Sequence, residues 1–242
     1  MIHVWKGWNK CFKKNEEISY TALGDSVSLG FGASERSGYV SKFHRFLKSI
    51  FEKVIFTNKS FPGMVSPLLL LQLTVGVFTR RAVKKADVLT ISAGGANVAL
   101  CRRKNGQIIC KRCADSGVRL FEHDWPLILK KIRKKLRCDA KIYVNTLFNP
   151  YREDEPNFLM ADQYIQRINR AILNPAYRDQ YEYEVIDLYS HFKGMVQDEW
   201  KVCRWTHFCG TIRDVHPNDF GHEEIFQLLK SRFHNECKND GY

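Results

Sequence analysis

The chain has 242 residues, of which 44% are hydrophobic and 26% are charged, and its formal net charge is +12. This composition is typical of a folded protein and excludes an intrinsically disordered chain. The longest apolar stretch, residues 67–78, contains Gln72 and Thr74 and is shorter than the about 20 residues that a membrane-spanning helix needs. The positive charge is spread along the chain, so we interpret most of it as solvated helix faces, although it also favours attraction to anionic lipid.

Apolar, β-rich runs alternate with amphipathic stretches along the chain. Strands are predicted at 18–24, 53–58, 87–94, 140–148 and 183–189, where Val, Ile, Leu and Tyr run almost without a break. Helices are predicted at 41–51, 66–84, 117–136, 160–173 and 219–234. Because strand and helix alternate, the sequence predicts a parallel sheet with right-handed crossovers, in a three-layer α/β/α sandwich. We expect a single domain over 1–242, with 1–16 as an N-terminal extension.

Polar residues follow the predicted strands at the edge where a parallel α/β sheet binds its ligand. The first strand ends in Gly-Asp-Ser, with the hydroxyl on Ser26; the second runs into Gly63, and the third into Asn97. Near the carboxyl end, a loop before the last helix carries Asp214 and His216. Acyl transfer needs these groups, because a serine attacks well only when an imidazole takes its proton and the oxyanion needs hydrogen-bond donors. Each residue alone is an ordinary turn or cap residue, but their order at successive strand ends favours a catalytic site.

Four segments of the chain resemble the sequence blocks of the SGNH, or GDSL-type, hydrolase family. They are "GDSVSLGFGAS", "NKSFPGMVS", "ISAGGANVAL" and "DVHPNDFGHEEI", and the resemblance covers residues 18–230. It implies a flavodoxin-like, five-stranded parallel sheet in the order 2-1-3-4-5. It also implies a serine ester hydrolase (an esterase, lipase or acylhydrolase) that works through an acyl-enzyme without a metal or another cofactor.

The resemblance assigns roles to individual residues. Ser26 is the expected nucleophile and His216 the expected general base. The expected oxyanion hole consists of the N–H groups of Ser26 and Gly63 and the side chain of Asn97. The third block of the family usually reads Gly-x-Asn-Asp, and Val98 replaces that aspartate in this chain.

The acid of the last block is also displaced. The family usually places it three residues before the histidine, but this chain has Arg213 there, and Asp214 lies only two residues before His216. Two arrangements stay open: an altered turn brings Asp214 under the imidazole, or a backbone carbonyl orients the ring and the site is a Ser–His dyad. We favour Asp214 as the acid.

The displaced aspartate leaves other functions open. One alternative is a catalytically impaired anion- or nucleic-acid-binding protein on the same scaffold, and another is an acyltransferase that uses the same residues. Basic and aromatic residues are not interleaved as in RNA-binding motifs, so we do not expect nucleic acid as a partner. The expected partner is a small-molecule or lipid ester, and its acyl length and the oligomeric state stay open. The apolar stripe from Leu68 to Phe78 is interpreted as core or lid packing, with an acyl pocket as the alternative.

The first residues bear on the cellular compartment, and the cysteines bear on metal binding and on disulfide pairing. The first residues lack the apolar core of a signal peptide, so we expect a cytoplasmic protein, or a secreted one if a leader has been removed. Cys110 and Cys113 have the spacing of a zinc-binding pair, but no second such pair follows, so the zinc signal is weak. Cys203 and Cys209 are close enough in sequence to close a small loop.

Overall fold

The computed structural model describes residues 17–104 and 107–239, and the predicted extension at 1–16 lies outside them. The described residues form nine strands: β1 (Glu17–Gly24), β2 (Lys53–Asn58), β3 (Val88–Ser92), β4 (Arg102–Arg103), β5 (Ile108–Ile109), β6 (Lys141–Asn145), β7 (Glu184–Ile186), β8 (Met195–Val196) and β9 (Glu199–Trp200). They also form eleven α-helices: α1 (Ser26–Leu29), α2 (Tyr39–Lys48), α3 (Ser66–Val75), α4 (Val77–Lys85), α5 (Gly95–Ala99), α6 (Lys111–Arg133), α7 (Phe158–Leu173), α8 (Pro175–Tyr181), α9 (Leu188–Phe192), α10 (Lys201–Trp205) and α11 (Asp219–Asn239).

Five strands form the central sheet, in the order β2-β1-β3-β6-β7, and every neighbouring pair is parallel. Counted among the five sheet strands alone, this is the predicted order 2-1-3-4-5, so the predicted fold is confirmed. β3 lies at the centre and all five of its residues are buried, as expected for a strand covered on both faces. The register places Gly24 beside Ser92, so β1 and β3 end at the same edge.

Helices cover both faces of the sheet. On one face α6 packs against α3 and α7, over a core that includes Leu69, Phe121 and Trp125. On the other face α2 packs against α11, over Phe43 and its neighbours. Each of these side chains is fully buried, and burial of a leucine or phenylalanine contributes about 1.5–3 kcal/mol.

Several elements differ from the predictions. The helix expected at 66–84 is two helices, because Gly76 adopts an extended backbone between α3 and α4. The strand expected at 183–189 ends at Ile186, because the Asp187 side chain accepts a hydrogen bond from Ser190 N–H and caps α9. The hairpins β4–β5 and β8–β9 were not predicted, because strands of two residues are too short to show an alternating pattern.

Among the described residues, four cysteines form two disulfides, Cys101–Cys113 and Cys203–Cys209. The second closes the small loop that its spacing suggests. The first makes the zinc interpretation of Cys110 and Cys113 wrong, because the Cys113 sulfur is already bonded. In the described parts of the chain no three His, Cys, Asp or Glu side chains are grouped so that they could hold a metal ion. None of the helices in those parts has both the length and the apolar character needed to cross a membrane.

Candidate active site

The carboxyl end of β1 makes a turn that only glycine can form. Gly24 has φ +134°, and a Cβ added there would lie 2.0 Å from the Ser92 carbonyl oxygen on β3. The next residue, Asp25, donates its N–H to that same carbonyl at 3.1 Å. The chain therefore leaves β1 in close contact with β3, and Ser26 begins α1 directly at this edge.

The Asp25 carboxylate holds this turn from inside the protein. It is buried, and one of its oxygens accepts hydrogen bonds from Val27 N–H at 3.1 Å and from the Ser92 hydroxyl at 3.0 Å. Burial raises the pKa of Asp25 to about 6, against the effect of these two hydrogen bonds. Asp25 thus caps α1 and fixes the backbone that carries Ser26.

Ser26, His216 and Asp214 form a chain of hydrogen bonds. His216 Nε2 lies 2.8 Å from Ser26 Oγ, and His216 Nδ1 lies 2.5 Å from Asp214 Oδ1. A carboxylate can only accept, so Nδ1 carries the ring proton and Nε2 is left to accept the serine hydroxyl. The same Asp214 oxygen accepts the His216 backbone N–H at 3.1 Å, which fixes the carboxylate relative to the ring.

The two-residue spacing depends on the backbone of Arg213. This residue has φ +51°, in the left-handed region that side chains other than glycine rarely adopt. Arg102 donates to its carbonyl at 2.7 Å, Glu155 forms an ion pair with its guanidinium, and the guanidinium stacks 4.2 Å from the Phe208 ring centroid. These contacts hold the altered turn that points Asp214 at the imidazole.

The loop closed by the Cys203–Cys209 disulfide supports the histidine from the other side. His207 N–H donates to the His216 carbonyl at 3.1 Å, and the loop also pairs with the two residues that follow His216. The His207 ring nitrogen Nε2 lies 2.8 Å from the Gly32 carbonyl oxygen, in the segment that follows α1. The loop therefore connects the serine side of the site to the histidine side.

His222, on α11, is the second histidine near the site, and its role is structural. Its Nδ1 accepts Tyr39 N–H at 3.2 Å, so Nε2 carries the proton and donates to the Phe31 carbonyl at 2.9 Å. Burial lowers the pKa of His222 to about 4. The neutral ring thus connects α2 and the loop after α1 to the last helix.

Two residues of the cavity wall, Ser26 and Gly63, have backbone amides without a hydrogen-bond partner among the described residues. Gly63 has φ +68°, and a Cβ added there would meet nothing within 4 Å. Ser26 and Gly63 both line the cavity described below. Among the hydrogen bonds of the described residues, none takes up the N–H of Ser26 or of Gly63. Both groups are therefore available to a ligand.

The expectation that Asn97 supplies a third donor is wrong. The side chain is buried, and its Nδ2 donates both hydrogens inside the protein, to Ser66 Oγ at 3.0 Å and to the Gly117 carbonyl at 2.9 Å. Its Oδ1 accepts Ser66 N–H at 3.0 Å. Ala96, one residue earlier, lines the cavity instead. The third block thus places a methyl group, and no carboxamide, beside the reacting groups.

A cavity of about 440 Å³ opens beside Ser26. Asp25, Ser26, Asp214 and His216 lie in its wall, and most of the remaining wall is apolar: Val27, Phe31, Ala96, Val98, Ala99, Leu100, Ile109, Leu147, Phe148, Pro150, Ala161, Ile165, Leu188 and Val215. The stripe from Leu68 to Phe78 is absent from this wall, so its interpretation as an acyl pocket is wrong. Leu69 and Leu73 of that stripe are core residues.

Comparison with known proteins agrees with this architecture. A family model described as the GDSL-like lipase/acylhydrolase family matches residues 22–224. The chain is 27% identical over 224 residues to the spore germination lipase LipC of Bacillus licheniformis, covering 88% of this chain and 95% of that protein. The lipase Lip_vut3 from a goat rumen metagenome superposes with a TM-score of 0.67 at 25% identity, covering 88% of this chain and 96% of the other. Axe2, an acetylxylan esterase from Geobacillus stearothermophilus, has a TM-score of 0.63 at 15% identity, with coverages of 89% and 94%, a likeness of fold alone.

Proposed function

The chain belongs to the GDSL-like lipase/acylhydrolase family, and from this premise we propose that it is a serine carboxylester hydrolase with Ser26 as its nucleophile. The observation that carries the proposal is the hydrogen-bonded sequence Ser26–His216–Asp214 at the mouth of an apolar cavity. A serine, an imidazole and an orienting carboxylate in this geometry are the parts that acyl transfer needs.

The reaction proceeds in two halves. His216 Nε2 takes the Ser26 proton while Oγ attacks the ester carbonyl carbon, and the carbonyl oxygen becomes the oxyanion of a tetrahedral intermediate. The protonated imidazole then gives its proton to the leaving alcohol oxygen, the carbon–oxygen bond breaks, and the acyl group stays on Ser26. A water molecule repeats the sequence, releases the acid and restores the serine. Asp214 holds the ring and stabilises its positive charge.

The oxyanion hole in this proposal consists of two backbone amides, those of Ser26 and Gly63. Loss of one such donor typically costs about 3 kcal/mol of transition-state stabilisation. Because Asn97 is not available, the amide of Gly63 has to supply a larger share of the stabilisation. The turn that presents this amide is then as important to the reaction as the nucleophile's own helix.

The cavity wall indicates the substrate class. An acetyl group would leave most of the about 440 Å³ unfilled, whereas each further methylene buried there contributes about 0.8 kcal/mol to binding. We therefore propose fatty acyl esters as substrates, in agreement with the relatives named as lipases. The acetyl esters that Axe2 is named for fit this wall less well.

Hydrolysis of soluble p-nitrophenyl esters tests both parts of the proposal. We expect turnover by the wild-type chain, loss of turnover in Ser26→Ala, and no change in Ser231→Ala, which alters an exposed serine on α11. Equal rates in wild type and Ser26→Ala would remove Ser26 from the mechanism. If kcat/KM does not rise from the acetate to the octanoate, the assignment of the cavity to the acyl chain is wrong and the mechanism is unaffected.

Two alternative functions, an inactive binding protein and an acyltransferase, compare differently with this proposal. The alternative of a binding protein without activity rests on the displaced Asp214 and on Val98 in place of the usual aspartate, and the 2.5 Å contact of Asp214 with His216 Nδ1 argues against the first of these. An acyltransferase would use the same residues with an alcohol as the acceptor. Product analysis in the presence of glycerol distinguishes the two reactions, because transfer gives a new ester and hydrolysis gives the free acid.

A further inference from the structure

The outer face of α3 is apolar, which is unusual for a helix on a protein surface. Leu69 and Leu73 pack into the core, but Leu68, Leu71 and Val75 are exposed on the other side. A surface helix normally carries polar residues there, and a contiguous exposed apolar patch marks a binding surface.

Side chains from the flanking segments extend this patch. Phe61 precedes α3, Val77 and Phe78 begin α4, and all three are exposed, Phe78 by 72%. Lys59 holds the segments together: its carbonyl accepts Gln72 Nε2 at 2.8 Å, and its Nζ lies 5.8 Å from the Phe78 ring centroid. We call the set the apolar rim, and its members are Phe61, Leu68, Leu71, Val75, Val77 and Phe78.

The apolar rim continues into the mouth of the cavity. Pro62 and Gly63, which follow Phe61 directly, line the cavity. On the cavity wall, Phe31 and Leu100 are also exposed, Leu100 by 66%. Exposed apolar side chains thus lie on the entrance and beside it, where a water-soluble substrate would not require them.

The charges around the rim have one sign. Residues 54–86 contain no acidic residue, and the segment carries Lys59, Arg80, Arg81, Lys84 and Lys85. None of these five forms an ion pair with a carboxylate of the described residues. Arg81 and Lys85 follow Phe78 by three and seven positions, so they share its face of α4.

We propose that the apolar rim docks this protein onto an anionic lipid surface. Its apolar side chains enter the boundary between headgroups and acyl chains, while the cations of α4 contact the lipid phosphates. A second copy of the chain is disfavoured as the occupant, because a two-fold contact through the same patch brings these cations against their own counterparts. Docking does not depend on the proposed function. If that function also holds, docking places the cavity mouth at the membrane, and the acyl chain enters without crossing water.

Vesicle sedimentation tests the docking, with the Ser26→Ala chain so that lipid hydrolysis cannot interfere. The probes are vesicles of phosphatidylcholine alone and of three parts phosphatidylcholine with one part phosphatidylglycerol. The apolar variant is Leu71→Ser with Phe78→Ser. Its control is Leu173→Ser, an exposed leucine at the end of α7, beside the start of β7 and at the opposite sheet edge from the cavity.

The expected result is binding to the phosphatidylglycerol vesicles that falls about tenfold or more in the apolar variant and stays unchanged in the control. Arg81→Glu with Lys85→Glu is expected to abolish the preference for phosphatidylglycerol, whereas Lys131→Glu with Lys134→Glu, at the far end of α6, retains it. Circular dichroism confirms that each variant is folded.

Three outcomes would overturn the proposal. The first is equal vesicle binding by the wild type and a folded apolar variant. The second is no binding to either kind of vesicle. The third is a dimer, detected by light scattering, that the apolar variant loses, because a second copy would then cover the rim. Each outcome leaves the ester hydrolysis assay of the soluble substrate unaffected, so failure of docking and failure of the catalytic proposal are distinguishable.

Discussion

Replacement of Asn97 by alanine tests whether this residue supports the fold or the oxyanion. The Asn97 side chain makes three buried hydrogen bonds. It accepts the Ser66 backbone N–H, and it donates to Ser66 Oγ and to the Gly117 carbonyl. Alanine removes all three and leaves the buried Ser66 N–H without its acceptor. We therefore expect Asn97→Ala to lower stability and to leave the chemical step nearly unchanged.

The size of the effect follows from these bonds. Each contributes about 1 kcal/mol net, so the free energy of unfolding falls by about 3 kcal/mol, and unsatisfied buried groups increase this value. For a domain of this length, 1 kcal/mol corresponds to about 2–4 °C in Tm. The expected decrease in Tm is thus about 6–12 °C.

Thermal unfolding by circular dichroism and kcat on a soluble p-nitrophenyl ester give the two readouts. The prediction is a large decrease in Tm with kcat within a few-fold of wild type at a temperature where the variant is folded. Ser66→Ala is the matched control, because it removes the hydroxyl that accepts from Asn97 and donates to Asp124. The losses of the double variant should be less than additive. An unchanged Tm with kcat lowered about a hundredfold or more would refute the reasoning and return Asn97 to the oxyanion hole.

Three further predictions concern the histidines and their supports. Asp214→Asn is expected to lower kcat by about a thousandfold by disturbing the His216 tautomer, and a loss below tenfold in steady-state assays would favour the dyad. Replacement of both Cys203 and Cys209 by serine should lower the free energy of unfolding by about 2 kcal/mol and reduce kcat several-fold, because the loop that supports His216 loosens; unchanged urea midpoint and kcat would contradict this. His222 stays neutral in the folded protein, whereas in the unfolded chain it binds a proton below about pH 6.5. Its contribution to the free energy of unfolding is therefore complete above about pH 6.5, and roughly 3 kcal/mol is lost as the pH falls towards 4. Urea unfolding at several pH values should show this decline, and a His222→Gln variant with the same slope would exclude His222 as its source.

The fold was predictable because hydrophobic periodicity determines it. The bounds of β2 agree with the predicted 53–58, and the central strand reads as a continuous apolar run because both its faces are covered. The break at Gly76 was not predicted, since a single glycine in an apolar helical pattern is often tolerated. The cysteine pairs were only partly predictable, because a sequence does not reveal which of eight thiols meet.

The site residues also differ in how well the sequence alone predicts their positions. Ser26 and His216 could be expected close together from the sequence, because each stands at a motif position whose local turn is encoded by neighbouring residues, and the structure places them 2.8 Å apart. The prediction that Asn97 faces the cavity was wrong, because the sequence does not reveal which of two adjacent residues after Gly94 lies in the cavity wall. A register one residue earlier would place Ala96 at the cavity and would explain the missing aspartate at Val98 as well. The absence of the usual aspartate at position 98 was therefore a sign in the sequence that the alignment of the third block was one residue off.

The Ser26–His216 contact also affects the order in which the protein becomes active. Its two partners lie 190 positions apart in the sequence, so the contact cannot form until the segment through His216 has left the ribosome. Before that segment folds, the Ser26 hydroxyl lacks the imidazole that would accept its proton. In the proposed mechanism, the hydroxyl therefore becomes a nucleophile only after the loop before α11 has folded against the end of β1.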